Sequence, residues 1–185
     1  MVRPNLSDQP RYTYLYARRR PVDASMHESD VVDVLDVLAL QRAPVRLAGG
    51  WGIDALIGHK TRDHMDLDLA CRTEDEATII NALQERGYRI VLDYRPARLA
   101  LADDHGREVD LHPVRFDQRG FGIQEGLRPG EQFHYPPDAY ATGVISGRQA
   151  GCLSVEQHRR FHSDYELRDR DRQDLANLRA VLGGS

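Results

Sequence analysis

The chain has 185 residues, 41 % of them hydrophobic, and its 25 Lys and Arg against 29 Asp and Glu leave a net charge of −4. That length and apolar content suit one domain with a sizeable core, and the acidic balance argues against a nucleic-acid partner. No apolar run approaches the roughly 20 residues that span a bilayer, and none follows a basic start, so a cytoplasmic protein with no membrane partner is expected.

Cys71 and Cys152 form neither a disulfide framework nor a paired metal spacing, in keeping with a reducing compartment. Lys60 is the only lysine among the cations, a bias that fits a GC-rich bacterial genome. Residues 1–28 read as a flexible N-terminal extension, and "RYTYLYARRRP" within it is either a solvated terminus or a local basic and aromatic patch. Residues 29–150 read as the core and 151–185 as a C-terminal helical part.

From Ser29, "SDVVDVLDVLALQRA" repeats apolar residues at helical spacing behind an N-cap, and "VRLA" at 45–48 is a short buried strand. Gly49 and Gly50 end that strand, and "WGIDALIG" predicts a short helix stopped by Gly58. "MDLDLAC" alternates strictly, with Met65, Leu67, Leu69 and Cys71 on one face and Asp66 and Asp68 on the other. "TEDEATIINALQERG" opens with Thr73 and Glu76 at capping-box spacing and closes on Gly87.

"YRIVLDY", "ARLALA" and "REVDLHPV" read as strands, the last two joined by the turn "DDHG"; Glu108, Asp110 and His112 share a face. Residues 117–143 carry glycines, prolines and aromatics without a period, and predict loops and a hairpin. "GVISGRQAGCLS" then reads as strand, turn, strand. Ser154 and Gln157 form a second capping-box pattern before "VEQHRRFH", and a last helix covers 169–181 with acids at its start.

The acidic faces carry the chemistry. At about 3.3 Å per residue the alpha carbons of Asp66 and Asp68 stand about 6.6 Å apart, close enough to converge on one hard cation. If Asp110 joins them from a second strand, two like charges about 6 Å apart repel by roughly 3 kcal/mol at an effective dielectric near 20. Divalent ions relieve that repulsion, and a two-metal clamp suits in-line phosphoryl displacement. Asp110 then serves either as a further metal ligand or as the base for the acceptor's proton. Gly49 and Gly50 let backbone amides approach a triphosphate closely.

In family order, "GGWGIDALIG", "TRDHMDLDLA", "GYRI" with "RPARLAL", "EVDLHPV" and "CLSVEQHRRFHSDYELRDRDRQDL" resemble the polymerase-beta-like nucleotidyltransferase superfamily. Within it the chain is similar to the lincosamide nucleotidyltransferases and the aminoglycoside adenylyltransferases, over about residues 45–175. The resemblance implies an α+β nucleotidyltransferase fold, a twisted mixed β-sheet flanked by helices, with C-terminal helices. It also implies magnesium-dependent transfer of a nucleoside monophosphate from a nucleoside triphosphate, taken as ATP, to a hydroxyl of a small antibiotic, with release of pyrophosphate. By position Asp66 and Asp68 look like metal ligands, Asp110 like the third carboxylate, and Gly49 and Gly50 like the nucleotide-binding turn. Two other readings are a nucleotidyltransferase-like partner-binding module without chemistry, of antitoxin type, and nucleotidyl transfer to a protein.

The remaining candidates each carry a structural alternative. Arg62 and His64 either contact the triphosphate or belong to a surface turn. Arg98 either steers phosphate or sits at a strand edge, and His112 either orients Asp110 or is a hydrogen-bonded structural histidine. His158 and His162, at i and i+4, have zinc spacing without a third ligand. Asp171 and Asp174 either border the nucleotide or are acids favoured by the helix dipole. Phe133, Tyr135 and Tyr140 either line the acceptor pocket or anchor a loop.

Overall fold

The computed structural model describes residues 25–161 and 169–182. The basic and aromatic patch and His162 lie outside the described residues. The described helices are α1 (Glu28–Leu40), α2 (Gly49–Ile57), α3 (Glu76–Gln84), α4 (Val155–Phe161) and α5 (Asp169–Leu182). The strands are β1 (Val45–Leu47), β2 (Asp66–Arg72), β3 (Arg89–Tyr94), β4 (Arg98–Ala102), β5 (Glu108–Phe116), β6 (Gly122–Glu125), β7 (Gln132–Tyr135), β8 (Tyr140–Ile145) and β9 (Arg148–Leu153).

Seven strands run in the order β3-β4-β5-β2-β1-β9-β8, and β6 and β7 extend from the far end of β5. The sheet is mixed: β2 runs parallel to β5 and antiparallel to β1, and β1 runs parallel to β9. The expected α+β architecture is therefore present. Its centre is the D-x-D strand, because the alternation of β2 gives it one wholly apolar face: Leu67, Leu69 and Cys71 are buried against Leu99, Leu101, Val109 and Leu111 and under α1 and α3. Each such leucine removed from water stabilises by about 1.5–3 kcal/mol. The opposite face of β2 and β5 carries the acids, then Ala70, Val114 and Phe116, which join Tyr135, Tyr140, Leu153 and Phe161 in a second, smaller core.

Pro113 interrupts β5 without breaking it. The pairing of β4 ends at Leu111 and that of β6 begins at Arg115, so the residue that cannot donate falls in the gap between two antiparallel neighbours.

Several local expectations are corrected. Helix α1 starts at Glu28, one residue ahead of the expected Ser29 cap, and Asp30 Oδ2 accepts the His27 N–H at 2.9 Å. Gly49 and Gly50 do not form a turn between strand and helix: they are the first residues of α2, with Gly49 at φ +52°. Thr73 and Glu76 make no capping box, since Thr73–Asp75 is a short 3-10 turn and Asp75 stands at the N-cap of α3.

Residues 117–143 hold the expected hairpin, β6 with β7, and beyond it a 3-10 turn and the start of β8. The glycines and prolines that suppress a sequence period mark the bends between short strands. The Ser154 cap forms by half. Gln157 N–H donates to Ser154 Oγ at 3.3 Å, while the Gln157 amide turns to the His134 carbonyl at 2.8 Å. Met26 is fully buried and its N–H donates to the His64 carbonyl at 2.9 Å, so core packing reaches into the residues assigned to the N-terminal extension.

Candidate active site

The site grows from the register between β2 and β5. Asp68 pairs with Asp110 and Asp66 with Glu108, so four acids share one face of two adjacent parallel strands. This is costly unless the charges are met. Arg98 on β4 lies against Asp110, its Nε 3.2 Å from Asp110 Oδ1 and Nη2 against Oδ2. His112 Nε2 lies 3.0 Å from Asp68 Oδ1 and 3.8 Å from Asp110 Oδ2. Behind it, His112 Nδ1 is 3.1 Å from Gln124 Nε2, which also donates to the Ala97 carbonyl at 3.2 Å, and Tyr135 Oη donates to Gln124 Oε1 at 2.5 Å.

Burial decides how these groups titrate. Asp110 is 2 % exposed, and burial pushes its carboxyl up to about 7 against the opposing pull of His112 and Arg98. Burial works against the charged form of His112. The neighbouring Asp110 charge and the Asp68 hydrogen bond outweigh it and raise that imidazole above its ordinary value.

The donor set suits a hard divalent cation. Ligand atoms of Asp68, Asp110 and His112 all lie within 4.8 Å of one another, and among the described residues no other such cluster of three is found. Two carboxylates converging on one point, with a third acid two residues along the same strand face, is the oxygen-rich arrangement that magnesium favours.

Both glycines of the pair are required by close approach. A Cβ on Gly49 would stand 2.1 Å from Asp68 Oδ2, and one on Gly50 would stand 2.2 Å from His64 Nδ1 and 2.8 Å from Arg62 Nη2. The missing side chains thus bring the N-terminus of α2, with its unsatisfied N–H groups, directly against the acidic strand.

The loop between α2 and β2 is tied down from two sides. Asp54, fully buried in α2, accepts Thr61 N–H at 3.1 Å and Thr61 Oγ1–H at 2.6 Å, and lies 2.5 Å from His64 Nε2. The His64 ring packs on Trp51 at 4.6 Å between centroids. Arg62 makes a two-pronged pair with Asp174 of α5, Nε to Oδ1 at 3.0 Å and Nη2 to Oδ2 at 2.8 Å. That hydrogen bond holds the guanidinium above its ordinary value. Two separate sequence candidates, Arg62 and Asp174, are therefore partners of each other.

The other candidates distribute as follows. Asp66 stands at the start of β2 on the face of Asp68. Asp171 is buried on α5. His158 is buried and packs against Gly52 of α2. Phe133 is partly exposed and meets Phe161 edge-on at 5.9 Å. Tyr140 stacks near Tyr135, and the Arg46 guanidinium lies 5.7 Å from its ring centroid. Tyr135 is 2 % exposed and its hydroxyl is spent on Gln124, which places it behind His112 instead of on an open wall.

Sequence reasoning passed over Asp54, Thr61 and Gln124. The signal for Asp54 was present, since it is the lone charge in the apolar stretch "WGIDALIG" and a buried carboxylate needs partners. For Gln124, inside a segment without a period, there was none.

The model of the family described as aminoglycoside-2''-adenylyltransferase matches residues 30–178. A lincosamide resistance protein of Staphylococcus haemolyticus is 28 % identical over 154 residues, covering 83 % of this chain and 95 % of that one. A 2''-aminoglycoside nucleotidyltransferase of Escherichia coli is 32 % identical over 115 residues, 61 % of this chain and 59 % of its own length. Among solved structures, the crystal structure of the lincosamide antibiotic adenylyltransferase LnuA with lincomycin bound superposes with a TM-score of 0.76 at 27 % identity, over 85 % of this chain and 99 % of that chain. ANT(2'')-Ia in complex with adenylyl-2''-tobramycin shares the fold, with a TM-score of 0.67 at 19 % identity over 85 % and 90 % of the two chains.

Proposed function

The chain belongs to the aminoglycoside-2''-adenylyltransferase family, and on that premise we propose that it is a nucleotidyltransferase moving AMP from ATP to a hydroxyl of a lincosamide- or aminoglycoside-type acceptor, with release of pyrophosphate. The observation that carries this reading is the side-by-side register of Asp68 and Asp110, with the glycine-led N-terminus of α2 pressed against Asp68 Oδ2.

Asp66, Asp68 and Asp110 would hold magnesium. When bound, it would supply positive charge to the triphosphate and so favour departure of pyrophosphate. The chain's own residues do the rest. Gly49 and Gly50 offer α2 amides to the phosphates, and the loop carrying Arg62 and His64 borders them. In the transfer, a bond forms between the acceptor oxygen and the α-phosphorus as the bond from that phosphorus to the bridging oxygen breaks. The acceptor's proton passes to Asp110, a buried carboxylate that converges with Asp68 on the same point. Arg98 fixes the orientation of that carboxyl.

Phe133 and Tyr140 would border the acceptor. No helix among the described residues is long and apolar enough to cross a membrane, and both cysteines are free and buried. A cytoplasmic setting, where nucleoside triphosphates and magnesium are available, fits the proposed chemistry.

Thermal unfolding with magnesium and each nucleoside triphosphate, for the wild type and for the D66N/D68N double variant, tests the reading. Ligand at 100 times its Kd stabilises by about 2.7 kcal/mol, roughly 5–10 °C for a chain of this size. A magnesium-dependent shift lost in the double variant is expected, followed by pyrophosphate release with a lincosamide or an aminoglycoside. No shift with any nucleotide would defeat the proposal.

A further inference from the structure

His112 is the third member of the cluster that could hold a metal, and which of its ring nitrogens bears a proton decides what it does there. The hydrogen bonds behind it answer that question. The Ala97 carbonyl can only accept, so the atom of Gln124 that lies 3.2 Å from it is the amide nitrogen. The same nitrogen is 3.1 Å from His112 Nδ1, and the opposite end of the amide, Oε1, accepts the Tyr135 hydroxyl at 2.5 Å. Turning the amide over would set Oε1 against the Ala97 oxygen, acceptor to acceptor, in a place where Gln124 is 7 % exposed. With the amide so fixed, an N–H faces Nδ1. In the neutral ring that nitrogen accepts, since a proton on it would meet the amide donor to donor. The ring's proton is left on Nε2, pointing at Asp68 Oδ1 3.0 Å away.

We propose that Gln124, held by Ala97 and Tyr135, is a positioning residue that fixes His112 as the Nε2–H tautomer, so that the imidazole serves as a hydrogen-bond donor to Asp68 and not as a ligand of the metal. The inference rests on the proposed nucleotidyltransferase site, which it deepens: the cation is held by carboxylates alone, and His112 turns Asp68 so that Oδ2 stays beside Gly49. An imidazole with a proton on Nε2 has no lone pair there to give to an ion. The proton that makes His112 useful to Asp68 also removes it from the ligand set. The network spans β5, β6 and β7, and so joins the hairpin outside the main sheet order to the acidic strands.

The test needs no turnover. The full chain is labelled with 15N, the His112 ring signals are assigned by their loss in His112→Asn, and long-range 15N–1H correlation spectra are read without metal at a pH where the ring is neutral. The expected pattern is Nδ1 unprotonated and Nε2 protonated. Gln124→Glu, which offers an acceptor to Nδ1, should move the proton there. Gln124→Met, which only removes the amide, should raise the share of the Nδ1–H tautomer above that of the wild type, with Nε2–H still favoured by Asp68 Oδ1, and covers the case in which the glutamate variant fails to fold. Manganese is the metal probe: pulsed electron paramagnetic resonance of the wild type with Mn2+ should show no directly bonded imidazole nitrogen.

A wild-type ring protonated on Nδ1, a tautomer indifferent to both Gln124 variants, or a nitrogen bonded to manganese would each overturn the proposal. None of these outcomes bears on whether AMP is transferred, so loss of this inference and loss of the proposed function are read separately.

Discussion

Arg62 and Asp174 meet across 112 positions of the chain in a two-pronged pair, at 3.0 and 2.8 Å, with the carboxylate 5 % exposed. The pair ties α5 to the loop that enters the D-x-D strand. Breaking it leaves a buried carboxylate without its cation, and a hydrogen bond to a charged group contributes about 1.5–3 kcal/mol. Arg62→Ala should therefore destabilise by about that amount and speed amide exchange in α5 more than in β2. A double-mutant cycle with Asp174→Asn should show strong coupling. Urea unfolding and hydrogen exchange check this; additive losses would show that the pair acts as two independent surface groups.

The glycines separate backbone strain from close approach. Gly49 and Gly58 both have positive φ, +52° and +89°, a conformation that costs a side chain roughly 1–2 kcal/mol. Around Gly58 nothing lies within 4 Å of an added Cβ, whereas at Gly49 the Asp68 carboxylate stands 2.1 Å away. Gly58→Ala should lower stability by about 1–2 kcal/mol and leave magnesium affinity unchanged. Gly49→Ala should displace Asp68 and weaken magnesium binding at least tenfold. Calorimetric titration with magnesium on both variants decides it, and equal affinity in the two would sink the steric account.

How much was legible in the sequence follows from what each signal encodes. The alternation of "MDLDLAC" and the periodic core of α1 were readable because burial writes itself into spacing, except that Met65, expected on the apolar face, precedes β2 and is exposed, and the Asp68 and Asp110 pair followed once both strands were placed. Helix starts were less readable. A cap depends on which side chain reaches an N–H, and Asp30 reached it where Ser29 was expected. A hairpin within residues 117–143 was legible, and the bounds of its strands were not. β6 and β7 are four residues each, too short for a period, and their function in the site is a hydrogen-bond chain through Gln124 that no spacing announces. Arg62 and Asp174 were visible singly and not as partners, because nothing local links positions so far apart.

Asp54 supports the loop after α2 by accepting two bonds from Thr61 and facing His64 Nε2, with no exposure to solvent. An asparagine there has one acceptor oxygen for three donors, so at least one buried donor loses its partner. Asp54→Asn should cost about 2–4 kcal/mol, and Thr61→Val, which keeps the backbone bond, about 1 kcal/mol. The loosened loop also carries Arg62 and His64 beside Gly50, so Asp54→Asn should raise KM for the nucleotide more than it lowers kcat. Unfolding curves and steady-state kinetics test both halves. An unchanged KM would show that the loop does not border the nucleotide.

Asp110 gives the site a pH signature of defined sign. Its carboxyl sits near 7 in the folded chain, chiefly through burial, and returns to about 3.9 when unfolded. Between those values the folded chain holds a proton that the unfolded chain has released, so this group's contribution to stability falls as pH rises, by about 1.4 kcal/mol per unit of separation. His112, raised in the fold, works in the same direction, its contribution being lost as pH rises through its folded value. Asp110→Asn removes the carboxyl titration. In chelator, the variant should gain on the wild type steadily from about pH 4 to pH 7. Magnesium reverses the trend, because it needs the ionised carboxylate: affinity should climb through the same window, with proton release on binding. Urea midpoints across pH check the first expectation, and calorimetric titration in two buffers of different ionisation enthalpy checks the second. A stability difference that stays flat across the window would mean that Asp110 is already ionised throughout it, and that burial does not raise its carboxyl.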